Sequence, residues 1–375
     1  MKKVLFFIES LYQGGAETLV KDYALLLNKK KFIVTILCLR RVDSEYEKIL
    51  QENGIKILFF HDYLPFKQTS IIHRGLFKFL RILYLDHLLL RLIVKKINPD
   101  VIHGHLFILH YLKMLDYKNV KKFLYTCHSE PQVYWHCKTA FSKNEYIAAQ
   151  WLVKNRAMQF IALHEKMRVE LNTMFRVHNT VVVNNGIIFS KFDNPLPSEI
   201  VRQKIGIPKE AFVVGHIGRF AEPKNHFFIL NCFSKLVVQK PNSFLLLVGN
   251  GPLRSIIFSK IRELNLESKV KILDNRTDIP DILNAMNVFL FPSIYEGLGI
   301  VLIEAQKMGL PCVVSDKVPS AATISNLVTT LSLKQNQDQW CKALCKAIPS
   351  NVVYNNLEKW NMNNIIKQLE KLYSD

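Results

Sequence analysis

The sequence predicts an α/β protein built from two parallel-sheet domains. Short apolar runs alternate with amphipathic stretches along most of the chain, the pattern of repeated strand–helix units. Its 375 residues exceed what a single core usually serves, so two domains are the natural expectation. A Pro-rich, turn-like stretch, Asn194-Pro195-Leu196-Pro197-Ser198, interrupts the alternation and reads as a linker.

The first series opens with Met1-Lys2-Lys3-Val4-Leu5-Phe6-Phe7-Ile8-Glu9, which mimics the start of a signal peptide. Its apolar run, Val4–Ile8, is too short for an h-region and no small-residue cleavage site follows, so it reads as a buried parallel strand. Strands are expected at Lys3–Ile8, Phe32–Leu39, Ile55–Phe60, Val101–His103, Lys122–Cys127, Phe160–Leu163 and Thr180–Val183, with helices such as Ala16–Asn28 and Gly75–Lys96 between them. The second series has strands at Phe212–Ile217, Ser243–Val248, Val270–Leu273, Val288–Phe291 and Pro311–Ser315, with helices His226–Gln239 and Pro252–Leu264. At the end, Leu357–Tyr373 carries Trp360, Ile365, Ile366, Leu369 and Leu372 at helical spacing. The expected domains are therefore 1–193 and 199–350, with 355–375 left as a terminal helical segment.

Hydrophobic residues make up 49% of the chain and no low-complexity tract is present, which excludes a disordered or fibrous class. The formal charge of +19 favours acidic partners: a diphosphate, an anionic membrane surface or nucleic acid. Seven dispersed cysteines without a C-x-x-C pair read as reduced thiols of a cytoplasmic protein, and Cys341 and Cys345, one turn apart, read as a packed helix face. No run of about 18 apolar residues spans a bilayer. The stretch 74–96 sets Arg74, Lys78, Arg81, Arg91, Lys95 and Lys96 among Leu, Ile and Phe, which suits either a helix lying on anionic lipid or a domain helix with a solvated basic face.

Chemistry-bearing residues gather where strands are expected to end. After Val288–Phe291, Pro292-Ser293 stops the strand, Glu296 and Gly297-Leu298-Gly299 form a loop, and a helix carries Glu304. Glycines and a helix start let a phosphate approach the backbone, while carboxylates accept hydrogen bonds from hydroxyls. Gly218-Arg219-Phe220-Ala221-Glu222-Pro223-Lys224-Asn225-His226 follows the first strand of the second series and offers two cations to a diphosphate, Arg219 with a planar fork. Gly14-Gly15-Ala16-Glu17 follows the first strand of the chain. A dinucleotide reading of it fails, because the Gly-x-Gly-x-x-Gly pattern is absent. In the first half, His103, His105 and His128 stand at strand ends, where α/β proteins face their ligand crevice. The chain contains no Asp-x-Asp, so no metal ligand set is expected and the leaving diphosphate would be neutralised by side chains.

These segments together resemble glycosyltransferase family 4, retaining enzymes of the GT-B fold with two Rossmann-like domains facing across a cleft. The resemblance rests on Glu296-x7-Glu304, on the Gly-Arg-x4-Lys pattern of Gly218-Arg219 and Lys224, on Gly14-Gly15-Ala16-Glu17, and on Gly249-Asn250-Gly251-Pro252. It implies that domain 1–193 binds the acceptor, that 199–350 binds a nucleotide-sugar, and that 355–375 crosses back onto the first domain. It also implies roles. Arg219, Lys224, Glu296 and His128 would be catalytic, the first two on the diphosphate, Glu296 on sugar hydroxyls and His128 near the transferred sugar. Gly15, Gly218, Asn225, Gly249, Gly297, Leu298, Gly299 and Glu304 would hold the donor, Glu304 at the ribose, with Arg276 and Ile279 near the base. His103 and His105 would face the acceptor. Asn185-Gly186-Ile187 resembles a tight turn before the linker.

Gly309-Leu310-Pro311-Cys312-Val313-Val314-Ser315-Asp316 is similar to enzymes of bacterial capsule, exopolysaccharide and O-antigen assembly on a lipid carrier. The chain departs from the pattern after Asp316, where relatives carry Gly-Gly-x-x-Glu and this sequence reads Lys317-Val318-Pro319-Ser320-Ala321-Ala322. That leaves the donor open between a UDP-sugar and GDP-mannose. Two other classes remain at this point: a nucleotide-sugar epimerase of the same fold, and a basic nucleic-acid-binding protein, for which no recognised module is seen. The expected setting is cytoplasmic, with the inner membrane face as a docking surface.

Overall fold

The computed structural model describes residues 1–12, 14–63, 85–115, 119–135, 139–274, 276–348 and 351–375. The chain forms two compact units, one of Met1–Asn185 with Asn363–Asp375 and one of Gly186–Met362.

In the first unit, β1 (Lys2–Ile8), β2 (Phe32–Cys38), β3 (Lys56–Phe59), β4 (Val101–His105), β5 (Lys122–Thr126), β6 (Gln159–Ala162) and β7 (Val181–Val182) lie in the order β3-β2-β1-β4-β5-β6-β7. All described pairs are parallel, with Phe6 opposite His103 and His105 opposite Thr126. Val4–Ile8 is fully buried, as a continuous apolar run between covering helices requires. Strand order reverses between β1 and β4, so the chain leaves their carboxyl ends in opposite directions and opens a crevice there.

The second unit repeats the plan with β8 (Phe212–Ile217), β9 (Ser243–Val248), β10 (Val270–Leu273), β11 (Val288–Phe291), β12 (Cys312–Ser315) and β13 (Val328–Leu331), ordered β10-β9-β8-β11-β12-β13. Its reversal lies between β8 and β11. Phe220, Phe233, Leu245, Leu290 and Trp340 belong to one buried cluster on this sheet. Arg202, itself buried, ties the starts of the two central strands together: Nε donates to Ala285 O at 2.9 Å, Nη1 to Ala211 O at 3.0 Å and Nη2 to Asn287 Oδ1 at 2.8 Å.

The last helix, Met362–Ser374, packs in the first unit with Ile365, Leu369 and Tyr373 buried. Its terminal carbonyls have no partner within the helix, and lysines of the sheet supply one. Lys122 Nζ donates to Leu372 O at 2.7 Å and Lys2 Nζ to Tyr373 O at 3.0 Å, where the helix dipole also favours a cation.

Four expectations are corrected. Leu357–Tyr373 is not one helix: Leu357–Trp360 is a 3-10 turn, and Asn361 is extended before Met362–Ser374 begins. Asn185-Gly186-Ile187 forms no isolated turn, since Ile187 bridges Asn361 in parallel, its N–H reaching Trp360 O at 2.8 Å. Asn194–Ser198 is not a loose linker, because Leu196 N–H donates to Asp281 Oδ1 at 2.7 Å and Leu196 O accepts from Asn284 at 2.8 Å; the division of the chain falls earlier, after Asn185. Cys341 is buried but Cys345 is exposed, so the two do not share a packed face. Edge strand β13 was not expected at all. Of the basic stretch 74–96, Arg74, Lys78 and Arg81 lie outside the described residues, whereas Arg91, Lys95 and Lys96 sit on the helix Leu85–Ile97.

Candidate functional site

In the second unit the expected residues gather on the carboxyl edge of β8, β9 and β11. The loop after β8 leans on the loop after β9: Gly218 N–H donates to Val248 O at 2.9 Å, Phe220 N–H to Asn250 O at 3.0 Å, and Leu253 N–H to Phe220 O at 2.9 Å. The approach is so close that a Cβ on Gly249, at φ +142, would lie 2.2 Å from Gly218 O, and one on Gly251 would lie 2.5 Å from Phe220 O. Only glycine permits this seam.

The same loop is fastened on its other side to the one after β11. Ile294 N–H donates to Pro223 O at 2.8 Å, and Asn225, held at φ 57, donates from Nδ2 to Pro292 O at 3.2 Å. These backbone contacts bring Lys224 Nζ to Glu296 Oε1 at 2.5 Å. Ser293 Oγ donates to the same oxygen at 2.7 Å, and Ser315 Oγ at the end of β12 donates to Ser293 O at 2.5 Å. Lys224 Nζ also lies 4.8 Å from the centroid of Phe291, and its stem passes 3.1 Å from where a Cβ on Gly218 would be. The ammonium and carboxylate side chains are only 19% and 10% exposed, so both are held in one geometry before any ligand arrives.

Arg219 is exposed at the mouth of this edge and pairs with no acid among the described residues. Gly297 and Leu298 are buried, and Gly299, at φ 83, starts the helix Ile300–Lys307, on which Glu304 is half-buried. Arg276 does not stand free. It grips Asp278 through Nε at 2.8 Å and Nη2 at 2.5 Å, just ahead of Ile279, the first residue of the helix Ile279–Asn284. The segment replacing Gly-Gly-x-x-Glu ends in a 3-10 turn, Ser320–Ala322, anchored by a buried residue that sequence reasoning missed. Gln306 Nε2 donates to Ala322 O at 2.7 Å, while its Oε1 accepts from Ile324 N–H at 2.8 Å and Ser325 N–H at 3.0 Å.

Two further histidines lie beneath the seam. His216, wholly buried on β8, bonds Leu290 O through Nδ1 at 2.9 Å; a carbonyl only accepts, so Nδ1 carries the proton and Nε2 is a bare lone pair. His226 stands edge-on to it at 5.0 Å, and neither of its ring nitrogens has a hydrogen-bond partner among the described residues. Burial keeps both neutral, pushing His226 down to about 4 and His216 well below the ordinary imidazole range.

In the first unit, Gly15 opens the helix Gly15–Leu26 behind β1, with Gly14 as its extended N-cap. His128, after β5, is partly exposed and its Nε2 lies 2.9 Å from His105 Nδ1. His103 and His105 do not face a crevice, as the sequence reading supposed. Both are wholly buried; His103 is held between Tyr373 OH and Thr126 Oγ1, each at 2.7 Å, and the ring of His105 lies against it, tilted by 36° at 4.2 Å. They support His128 from inside the sheet. Desolvation lowers all three imidazoles, His103 to about 3, so the His105–His128 contact is a hydrogen bond between neutral rings.

Two parallel α/β units, each reversing its strand order and carrying polar loops at the carboxyl edge, are the architecture of GT-B glycosyltransferases. Comparison with known proteins agrees along the chain: the family model for glycosyl transferases group 1 matches residues 197–364, and that for glycosyltransferase family 4 matches 13–191. The chain belongs to glycosyltransferase family 4, and it is an enzyme that transfers sugar. EpsF of Bacillus subtilis (strain 168), a glycosyltransferase by name, is 29% identical over 364 residues, covering 92% of this chain and 88% of that protein. An Escherichia coli UDP-Gal:alpha-D-GlcNAc-diphosphoundecaprenol alpha-1,3-galactosyltransferase is 29% identical over 202 residues, 51% of this chain and 52% of that one. Among solved structures, Anabaena HepE in complex with UDP and glucose superposes with a TM-score of 0.78 over 100% of both chains at 20% identity, a likeness of fold.

The buried imidazoles make stability depend on acid. His103 and His226 stay neutral in the fold down to about 3 and about 4, whereas the unfolded chain protonates them near 6.5. Between those values the unfolded state binds more protons, so stability falls as pH drops from 6.5 toward 4 and is insensitive to these groups above 6.5. His226→Phe removes one such group without removing a hydrogen bond. Urea midpoints measured across this range should fall less steeply for the variant; equal slopes would show that His226 titrates normally.

Proposed function

We propose that the chain is a retaining glycosyltransferase that takes a sugar from a nucleoside diphosphate, a UDP-sugar ahead of GDP-mannose, and adds it to a lipid-linked saccharide during bacterial surface polysaccharide assembly. One observation carries the reading: Lys224 and Glu296 are locked together on the carboxyl edge, beside the Gly218–Gly249 seam. Lys224 and the exposed Arg219 would neutralise the diphosphate, Glu296 would hold sugar hydroxyls, and Glu304 the ribose. Gly218, Gly249 and Gly297–Gly299 would admit the phosphates to the backbone, the last at a helix start. Arg276 is bound to Asp278, so any contact with the base would come from the backbone near Ile279.

In the proposed step the bond from the anomeric carbon to the diphosphate oxygen breaks, and a bond from that carbon to the acceptor hydroxyl oxygen forms on the same face. The hydroxyl proton passes to the leaving phosphate oxygen. No metal ion is required if Lys224 and Arg219 carry the developing charge, the term that usually dominates such reactions. His128, neutral and fixed by His105, would hydrogen-bond the transferred sugar. The E. coli relative, named for a diphosphoundecaprenol acceptor and a UDP-galactose donor, supports the lipid-linked acceptor and the UDP donor. Turnover of a UDP-sugar with no acceptor consumed would favour the epimerase reading instead.

Lys224→Ala should lower kcat by about 10²-fold or more, as loss of one transition-state donor does, and chelator should leave the wild-type rate unchanged. Near-normal turnover by the variant would remove Lys224 from the mechanism.

A lipid-linked acceptor would bring the enzyme to a membrane surface. The helix Leu85–Ile97 supports this, with Leu88 and Leu92 at 55% and 54% exposure beside exposed Arg91, Lys95 and Lys96 at one helical spacing. Each cation near an anionic surface contributes about 1 kcal/mol, so charge reversal at all three should weaken binding to phosphatidylglycerol vesicles by ~10²-fold or more. Unchanged sedimentation would reject this face as the docking surface.

A further inference from the structure

The loop that follows β4 is bent in a way its sequence does not favour. Leu106 sits at φ 59, a left-handed conformation that strains a bulky residue and persists only where the surroundings impose it. Here the surroundings are explicit. Tyr125 OH donates to Leu106 O at 2.6 Å, and Tyr134 OH reaches the same carbonyl at 3.3 Å. Two residues on, the buried carboxylate of Glu145 accepts from Leu109 N–H at 2.9 Å and from His110 N–H at 3.0 Å, closing the start of the helix Leu109–Met114. Between these two clamps the chain presents Phe107.

Phe107 is 38% exposed, unusual for a phenylalanine so firmly positioned, and it stacks face-on over Tyr134 at 5.1 Å with 17° between the rings. Phe141, 46% exposed at the start of the helix Ala140–Arg156, meets it at 5.6 Å and 57°. His110 stands edge-on to Phe141 at 5.9 Å; its Nδ1 bonds Glu145, and its buried Nε2 has no hydrogen-bond partner among the described residues. The result is a rigid aromatic shelf. Phe107 lies two residues beyond His105, whose ring bonds His128, so the shelf occupies the same carboxyl edge as the histidine proposed to meet the sugar.

We propose that Phe107 and Phe141 form the acceptor platform and that its occupant is the pyranose ring receiving the transferred sugar. This rests on reading the acceptor as a saccharide. A pyranose presents a face of C–H groups and a rim of hydroxyls. Its C–H face is attracted to the electron-rich face of an aromatic ring, and its hydroxyls need polar surroundings, which exposed Lys143 and Asn144, two and three residues past Phe141, supply. A lipid chain would need apolar surface continuing past Phe141, and the helix instead runs on through exposed Lys143 and Asn144.

Saturation-transfer NMR with methyl glycosides of glucose, galactose and N-acetylglucosamine tests this on the whole protein, with geranyl phosphate as the lipid probe. The ring C–H protons of at least one glycoside should be saturated by the wild type. That signal should fall at least fivefold in Phe107→Ala/Phe141→Ala and survive in Phe107→Tyr/Phe141→Tyr. Far-UV circular dichroism and urea midpoints should be the same in all three proteins, which shows the variants folded. Saturation retained in the alanine variant, confined to geranyl phosphate, or absent for every glycoside would overturn the platform. Loss of saturation in the folded alanine variant, together with no rise in the wild type's urea midpoint on adding UDP, would leave the platform standing and defeat the UDP-donor reading.

Discussion

The hydrogen bonds between Pro223–Asn225 and Pro292–Ile294 decide where the charged groups of the second unit can be. Lys224 and Glu296 belong to loops separated by three strands in sequence, and only the reversal of strand order makes those loops neighbours. Once Ile294 N–H is bonded to Pro223 O, the ammonium and the carboxylate meet without long flexible reaches. An exposed lysine–glutamate pair would contribute little to stability. This one is mostly enclosed, backed by Phe291 and Ser293, and so serves better as a fixed arrangement of charge than as a brace.

The two units use the same plan for different loads. In the second, glycines let loops touch backbone to backbone at the seam of Gly218 and Gly249, and charge is concentrated above it. In the first, the edge is built of neutral rings. His103, His105 and His128 are kept neutral by burial, and the neighbouring loop trades backbone strain at Leu106 for exposed aromatic surface at Phe107. A charged edge suits a diphosphate; a neutral aromatic one suits a sugar.

Much of the fold was legible in the sequence, because buried parallel strands announce themselves as apolar runs. Phe212–Ile217, Ser243–Val248 and Val288–Phe291 were read to the residue for that reason. Strand β13 was not, since Val328–Leu331 is an edge strand with Thr329 and Thr330 exposed and carries no such run. The break at Asn361 was hidden too: Trp360 and Ile365 are both buried, so helical spacing persists across a bridge to Ile187 that no local pattern encodes. For the candidate site, motif resemblance brought up Lys224, Glu296 and His128 but not their partners. Ser293, Ser315 and Gln306 are ordinary polar residues whose importance comes from pairing across strands, and no short-range signal marks them. His103 and His105 were read as facing outward because the end of a strand was equated with its exposed tip, whereas β4 runs on through His105 inside the sheet.

The most direct test is a crystal structure with UDP bound. A diphosphate oxygen should lie within about 3 Å of Lys224 Nζ, with the phosphates over the Gly218 and Gly249 loops and the ribose toward Glu304. A nucleotide found at another strand edge, with Lys224 still paired to Glu296 and untouched, would contradict the assignment of this edge as the donor site.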